Sequence, residues 1–273
     1  MSDEFSNTDL TIAQFSDCHL FADTNALHHG ANVYQNLTLV LADLAKDKTL
    51  HAIIFTGDLS QDHSEQSYKN FVVAIEQSQI LVPIYYLAGN HDEYSLLRKY
   101  LNKIPFTSST TLENSYWQVL LVNSKSDTPS GVITPKTLKG IDEKINENKN
   151  QLLFSHHHPI DVGYFIDRHG LQNQQQFWQT ISKYQSIKGL ACGHVHRALT
   201  LTKQITQHEI HIFTCPATSI QFDPTADTVK ALPISSENII EQGIGYRRFT
   251  LQANGNLLTS LHFSNSTPIS PKE

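Results

Sequence analysis

Five apolar runs in this chain end on the same kind of polar tip, and that recurrence limits the fold more than any other feature. Leu10 to Ser16 runs into Asp17-Cys18-His19, and His51 to Thr56 into Gly57-Asp58. Ile84 to Ala88 closes on Gly89-Asn90-His91-Asp92. Gln151 to Ser155 meets His156-His157-His158-Pro159, and Gly189 to Cys192 meets Gly193-His194-Val195-His196. Runs of this length read as buried strands, and in an extended strand residues i and i+2 point the same way. Asp17 and His19 are therefore expected to converge while Cys18 turns aside.

Helical spacing fills most of the intervals. Val33, Leu37, Val40, Leu41 and Leu44 share one face, as do Tyr68, Phe71, Val72 and Ile75. Leu96, Leu97, Tyr100 and Leu101 follow the third tip. Thr134-Pro135 reads as a cap with proline at the first helical position, ahead of Leu138, Ile141 and Ile145. Asn173 reads as the cap of a helix carrying Phe177, Trp178 and Ile181, Asp62 as the cap of the Tyr68 helix, and Asp92 as that of the next. Trp117 to Val122 adds a strand. After His196 only strands remain: Leu199 to Lys203, His211 to Thr214, then Tyr246 to Gln252 and Leu257 to Phe263 flanking the hairpin turn Asn254-Gly255. Strands alternating with helices predict an α/β fold with its polar turns at the C-terminal edge of a sheet, where such folds bind ligands.

The 273 residues carry no linker-like stretch, so one domain is expected over 1–273, with its core at about 10–263 and polar termini expected to be disordered. A hydrophobic content of 39% suits a soluble core, and no run is long enough to cross a bilayer. The polar, acidic N-terminus is not a signal peptide. Three scattered cysteines, Cys18, Cys192 and Cys215, fit a reducing compartment better than a disulfide framework, so the expected location is the cytoplasm. A net charge of -6 without a Lys/Arg cluster argues against an extended nucleic-acid surface.

Collected together, the tips supply Asp17, His19, Asp58, Asn90, His156, His194 and His196. This oxygen and nitrogen set contains no thiolate and suits Mn, Fe, Zn or Co. Seven donors exceed one tetrahedral ion but serve two ions sharing a carboxylate, with Asp58 as the natural bridge. Two metals about 3.5–4 Å apart clamp the attacking and leaving oxygens of an in-line phosphoryl displacement.

The ordered set Asp-x-His, Gly-Asp, Gly-Asn-His-Asp, a later His and Gly-His-x-His resembles the calcineurin-like metallophosphoesterase superfamily. Within it, the chain is similar to the bacterial class III cyclic-nucleotide phosphodiesterases. The added matches are His19-Leu20-Phe21-Ala22, Gly57-Asp58-Leu59 with Gln61-Asp62, His156-His157-His158-Pro159, Asp167, His169, Leu171, Asn173, Pro216, Gln221-Phe222 and Pro224. The resemblance implies a four-layer αββα sandwich of two mixed sheets with flanking helices, the strands after His196 completing the second sheet. It implies two divalent ions per chain, Fe2+ and/or Mn2+ foremost, with Zn2+ and Co2+ as alternatives. Asp17, His19, Asp58 and His196 would hold one ion, and Asp58, Asn90, His156 and His194 the other. His19, Asp58, Asn90, His91 and His196 would contact the substrate. Asp58 and His91 would be catalytic, His91 giving the leaving oxygen a proton after attack by a metal-bridging hydroxide. The implied reaction is hydrolysis of 3′,5′-cyclic AMP to 5′-AMP.

Other readings stay open at this stage. The same core serves phosphodiesterases and monoesterases acting on glycerophosphodiesters or 2′,3′-cyclic nucleotides, because specificity lies in the surrounding loops. A non-catalytic scaffold would have lost ligands that this chain keeps. His157 and His158 belong either to the pocket wall or to one packed and one solvated position. Asp167 and His169 either border the nucleotide or only shape their loop. His28, His29 and His63 are expected to be solvated, and Phe71, Phe177 and Trp178 to be core. Cys18 and Cys192 lie beside ligand turns, where oxidation would disturb the metals. The oligomeric state is left open.

Overall fold

The computed structural model describes residues 8–205, 208–232 and 243–264. The expected terminal disorder falls on residues 1–7 and 265–273, outside the described ones.

The chain runs β1 (Leu10–Phe15), β2 (Leu27–His28), β3 (Ala31–Asn32), α1 (Val33–Lys46), β4 (Ala52–Phe55), α2 (Glu65–Ser78), β5 (Ile84–Tyr86), α3 (Tyr94–Tyr100) and β6 (Phe106–Thr107). It continues through β7 (Thr111–Glu113), β8 (Trp117–Leu121), α4 (Pro135–Lys144), β9 (Asn150–Ser155), a 3-10 turn (Phe165–His169), α5 (Gln174–Ile181) and β10 (Ile187–Cys192). It ends with β11 (Thr200–Gln204), β12 (Glu209–Thr214), β13 (Gly245–Leu251) and β14 (Leu257–Phe263).

Two six-stranded mixed sheets result, in the orders β14-β13-β1-β4-β5-β6 and β11-β12-β10-β9-β8-β7. Ile12, Ile54, Trp117, Phe154 and Phe249 fill the space between them. The apolar stripes of α1, α2 and α3 cover the outer face of the first sheet, and those of α4 and α5 cover the second. This is the four-layer sandwich. It departs from expectation in one respect: β11 and β12 complete the second sheet, whereas the β13–β14 hairpin pairs antiparallel with β1 in the first. β14 is the part-exposed edge strand and β13 is mostly buried beside β1; Arg247 helps to hold β13 there. Buried in β13, it donates across the sandwich to the Thr214 and Leu199 carbonyls.

Two expected caps lie elsewhere. Thr134 does cap α4, accepting from Thr137 N. Ser64, not Asp62, caps α2, because its hydroxyl reaches Ser67 N while Asp62 accepts the N–H groups of Ala22 and Ser64. Asn173 does occupy the N-cap position of α5, but its side chain makes no cap bond and pairs with both backbone groups of Ile133. Asp92 is buried in the site described next, and Glu93 takes the cap position of α3.

Strand register aligns the ligand turns. Phe15 pairs with Phe55 and Phe55 with Tyr86, so β1, β4 and β5 end level with one another. Ser155 pairs with Cys192 in the second sheet, bringing the tips of β9 and β10 to the same edge.

Candidate metal centre

All seven expected ligands meet at that edge. His19 Nε2 lies 3.1 Å from His196 Nε2 and 3.7 Å from Asp58 Oδ2. Asp58 Oδ2 is also 3.4 Å from His156 Nε2, which is 3.0 Å from Asn90 Oδ1. His196 Nε2 is 3.6 Å from Asp17 Oδ1. Asp58 therefore sits between one group made of Asp17, His19 and His196 and another made of Asn90 and His156. His194 is buried in ring contact with His156 at 5.0 Å.

Convergence does not come from strand alternation. β1 ends at Phe15, and Asp17 (φ 58°) and His19 (φ 48°) both adopt the left-handed conformation. So do Asp58 (55°), His194 (64°) and His196 (52°). Each such residue costs of order 1–3 kcal/mol and persists only where its surroundings hold it. Backbone bonds do so here: Asp17 N–H to the Gly57 carbonyl at 2.9 Å, and His19 N–H to the Asp58 carbonyl at 3.0 Å. The Asp17 carboxylate accepts the His194 N–H at 3.0 Å, joining the two sheets at the site.

Two glycines permit this crowding. A Cβ on Gly89 would overlap the Asp58 carboxylate, and one on Gly193 would overlap the Ser16 hydroxyl. Asp92 closes the arrangement by accepting N–H groups from Asp58, Leu59 and Gly89, each at 2.8 Å. Asp58 Oδ1 accepts the His91 N–H at 2.8 Å, which leaves Oδ2 for the centre.

The imidazoles are oriented from behind. Nδ1–H of His156 faces the Thr56 carbonyl and that of His196 the Ile220 carbonyl, both at 2.8 Å. Because a carbonyl only accepts, each ring carries a proton on Nδ1 and turns Nε2 inward; His196 presents a lone pair there, and His156 does so once its second proton is lost. Gln61 Oε1 holds His19 Nδ1 in the same way at 2.7 Å. Phe222 lies flat on His196, with centroids 3.9 Å apart and planes 4° from parallel.

Charge and donor type agree that a cation belongs here. Burial pushes the Asp17 carboxyl up to about 7, with the Asp58 charge adding to it. Burial likewise lifts Asp92 to about 7, again with help from Asp58. Burial works against ionised Asp58 too, but the charges of His156, His91 and His19 hold it well below the carboxylate range. Burial depresses His19 and His194 far below the usual imidazole value and His196 to about 3, so all three are neutral donors. Burial also opposes the charged form of His156, yet Asp58 and Asp17 raise it to about 9. In the metal-free protein that proton supplies the compensating charge. The two facing lone pairs of His19 and His196, and a His194 Nε2 buried without a hydrogen-bond partner, complete a donor set that fits divalent ions.

His91 stands at the rim of the centre, in edge contact with His19 at 4.9 Å. Burial lowers its pKa, with Asp58 opposing. Neither His157 nor His158 is solvated. His157 is tied to Ser124 and to the Pro129 carbonyl, and His158 pairs with Asp167 at 3.2 Å while stacking on His194. His28 is half-buried and stacks parallel on His19, correcting its expected solvation, whereas His63 is exposed but lies over His91. Cys18 and Cys192 are buried, and burial pushes both thiols up. Sequence reasoning missed the roles of Gln61, Ser124, Asp92 and the aromatic face of Phe222. The Gln61 and Phe222 matches were the only signals pointing to two of them.

The sequence profile of the calcineurin-like phosphoesterase family matches residues 10–198, and the chain belongs to that family. A probable cyclic nucleotide phosphodiesterase of Colwellia psychrerythraea is 52% identical over 94% of this chain and 95% of its own length. The 3′,5′-cyclic adenosine monophosphate phosphodiesterase CpdA of Vibrio vulnificus is 29% identical over 95% of this chain and 92% of its own. The crystal structure of a dimetal phosphatase from Danio rerio shares the fold, with TM-score 0.60 at 11% identity, covering 92% of this chain and 98% of that one.

Proposed function

We propose that this chain is a cyclic-nucleotide phosphodiesterase that opens 3′,5′-cyclic AMP to 5′-AMP. The observation that carries the reading is end-to-end similarity to a probable cyclic nucleotide phosphodiesterase, together with the intact seven-donor centre. Asp17, His19, Asp58 and His196 would hold one ion and Asp58, Asn90, His156 and His194 the other. Fe2+ and Mn2+ match the donors, as do Zn2+ and Co2+, and availability decides among them. Bound there, such ions supply a nucleophile at neutral pH and neutralise charge on the phosphoryl group.

The chain's own residues do the rest. Asp58 holds the His91 backbone through Oδ1, setting the imidazole beside the centre. From its place beside the centre His91 would take part as general acid, giving a proton to the leaving 3′-oxygen. Lys125 donates to the Asn90 carbonyl at 3.0 Å and so fixes the turn that presents the Asn90 amide oxygen. A cavity of about 510 Å³ opens from His19, Asp58, Asn90 and His91 and admits a small nucleotide.

The expected single domain over 1–273, with its core at about 10–263, remains part of this proposal. So does a cytoplasmic setting, which three buried free cysteines support. No helix among the described residues is long and apolar enough to cross a membrane.

The test is hydrolysis of 3′,5′-cAMP by Mn2+-loaded protein beside 2′,3′-cAMP, bis(4-nitrophenyl) phosphate and 4-nitrophenyl phosphate. Preferential formation of 5′-AMP, lost in Asn90→Ala, is the expected result. Turnover of the generic diester without that of cAMP would remove the substrate assignment and keep the metal chemistry.

A further inference from the structure

We propose that the outer end of the same cavity is a nucleobase subsite, formed where residues 165–169 face the 221–232 hairpin; the inference rests on the cyclic-nucleotide reading above. The cavity has two chemically different ends. Beyond the metal-binding donors its lining turns to Phe165, Ile166, Phe222 and Val229, with Arg168, His169 and Thr228 among them. A glycerol or other small polar alcohol has no use for aromatic and aliphatic walls. A flat heteroaromatic ring joined to a phosphodiester matches both ends.

Each wall is fastened to a turn that carries candidate ligands. On one side, the Asp167 carboxylate accepts the N–H groups of Val162 and Gly163 at 2.7 and 2.8 Å. It also pairs with His158, two residues beyond His156, which ties the 3-10 turn to the end of β9. On the other side, Phe222 N–H donates to the His196 carbonyl at 3.2 Å while its ring covers the His196 face. The hairpin itself closes through Asp223 N–H to the Lys230 carbonyl and Leu232 N–H to the Gln221 carbonyl. The distance from the phosphoryl position to the base position is thereby built into the backbone.

The walls also meet each other. Phe165 and Phe222 touch with centroids 5.2 Å apart, and Arg168 donates from Nη2 to the Asp227 carbonyl across the rim. Arg168 Nε is taken by the Phe165 carbonyl at 3.2 Å, so the guanidinium acts first as a clasp between the walls. What remains for the ligand is mainly ring face and apolar surface. Recognition by stacking tolerates different bases, since each has a π face. The subsite therefore separates nucleotides from base-free phosphates more strongly than adenine from guanine.

The test is isothermal titration of Mn2+-loaded full-length protein with 5′-AMP and with ribose 5-phosphate, which differ only by the base. Wild type is expected to bind 5′-AMP about tenfold or more tightly than ribose 5-phosphate. Phe165→Ala and Val229→Asp should each bring the two affinities within about threefold, while Phe165→Tyr keeps the difference. Val229 is 42% exposed, so its variant does not depend on core packing. Equal affinities in wild type, no binding of either ligand, or an unchanged difference in both variants would overturn the subsite. A parallel loss of both ligands would overturn it as well, because that pattern marks a structural effect. Parallel assay of cAMP separates the two claims: hydrolysis with equal affinities removes the subsite alone, and a preference for 5′-AMP without hydrolysis removes the assigned reaction alone.

Discussion

The carboxylate of Asp92 accepts the backbone N–H of Asp58 at 2.8 Å, and its two oxygens also take Leu59 and Gly89. One buried side chain thus sets the β4 turn that presents Asp58 and the β5 turn that presents Asn90. In Asp92→Ala three buried N–H groups lose their acceptor, each worth about 1–3 kcal/mol. The expected outcome is a clear drop in Tm together with a roughly 10–100-fold loss of Mn2+ affinity. A variant that melts and binds Mn2+ like wild type would show that the turns hold themselves.

The two buried carboxyls of raised pKa should contribute to the stability of the metal-free protein with a defined pH dependence. Asp17 and Asp92 are raised from 3.8 to about 7, so between those values the folded chain binds more protons than the unfolded one. Stability from these groups is complete in acid and is lost as pH rises toward 7. His156, raised from 6.5 to about 9, extends the loss upward. The neutral imidazoles of His19, His194 and His196 act in the opposite sense, because the unfolded chain protonates them below about 6.5. Asp92→Asn in chelator-treated protein isolates the carboxyl: from pH 5.5 to 7.5 its Tm should fall less, or rise more, than that of wild type, and an identical change in both would contradict the assignment.

His91→Ala should separate leaving groups. A ribose 3′-oxygen needs a proton, whereas 4-nitrophenolate leaves without one. Turnover of cAMP is expected to fall about 10²-fold or more, with a much smaller effect on bis(4-nitrophenyl) phosphate. Equal losses on both substrates would assign His91 to phosphoryl binding instead of proton transfer.

Buried thiols of raised pKa react slowly with peroxide. Cys18 and Cys192 are 0% and 1% exposed despite their place beside ligand turns. Mn2+-loaded wild type and Cys18→Ala/Cys192→Ala should therefore inactivate at the same rate in peroxide. Selective protection of the double variant would restore oxidation of these thiols as a route to metal loss.

Chelation followed by addition of Mn2+ should remove and then restore activity, whereas His194→Ala should respond poorly. His194 Nε2 has no hydrogen-bond partner, so its loss removes a donor and leaves nothing to replace it. Metal content by atomic emission is the readout, and a variant holding two ions per chain would exclude His194 from the donor set.

The strand tips and seven candidate donors in their order were legible in adjacent residues, because donor type and backbone period are local properties. The α1 stripe from Val33 to Leu44 and the Asn254-Gly255 hairpin were legible for the same reason. Tertiary packing chose the pairing of β13 with β1, between segments more than 230 residues apart. It also decided that Asp17, His19, Asp58, His194 and His196 reach the centre through left-handed backbone, where a strand pattern suggested simple alternation. Asp92 reads locally as a helix cap, yet three N–H groups from two neighbouring turns claim it. A carboxylate takes the donors that packing brings to it, and which donors those are depends on how the two sheets meet.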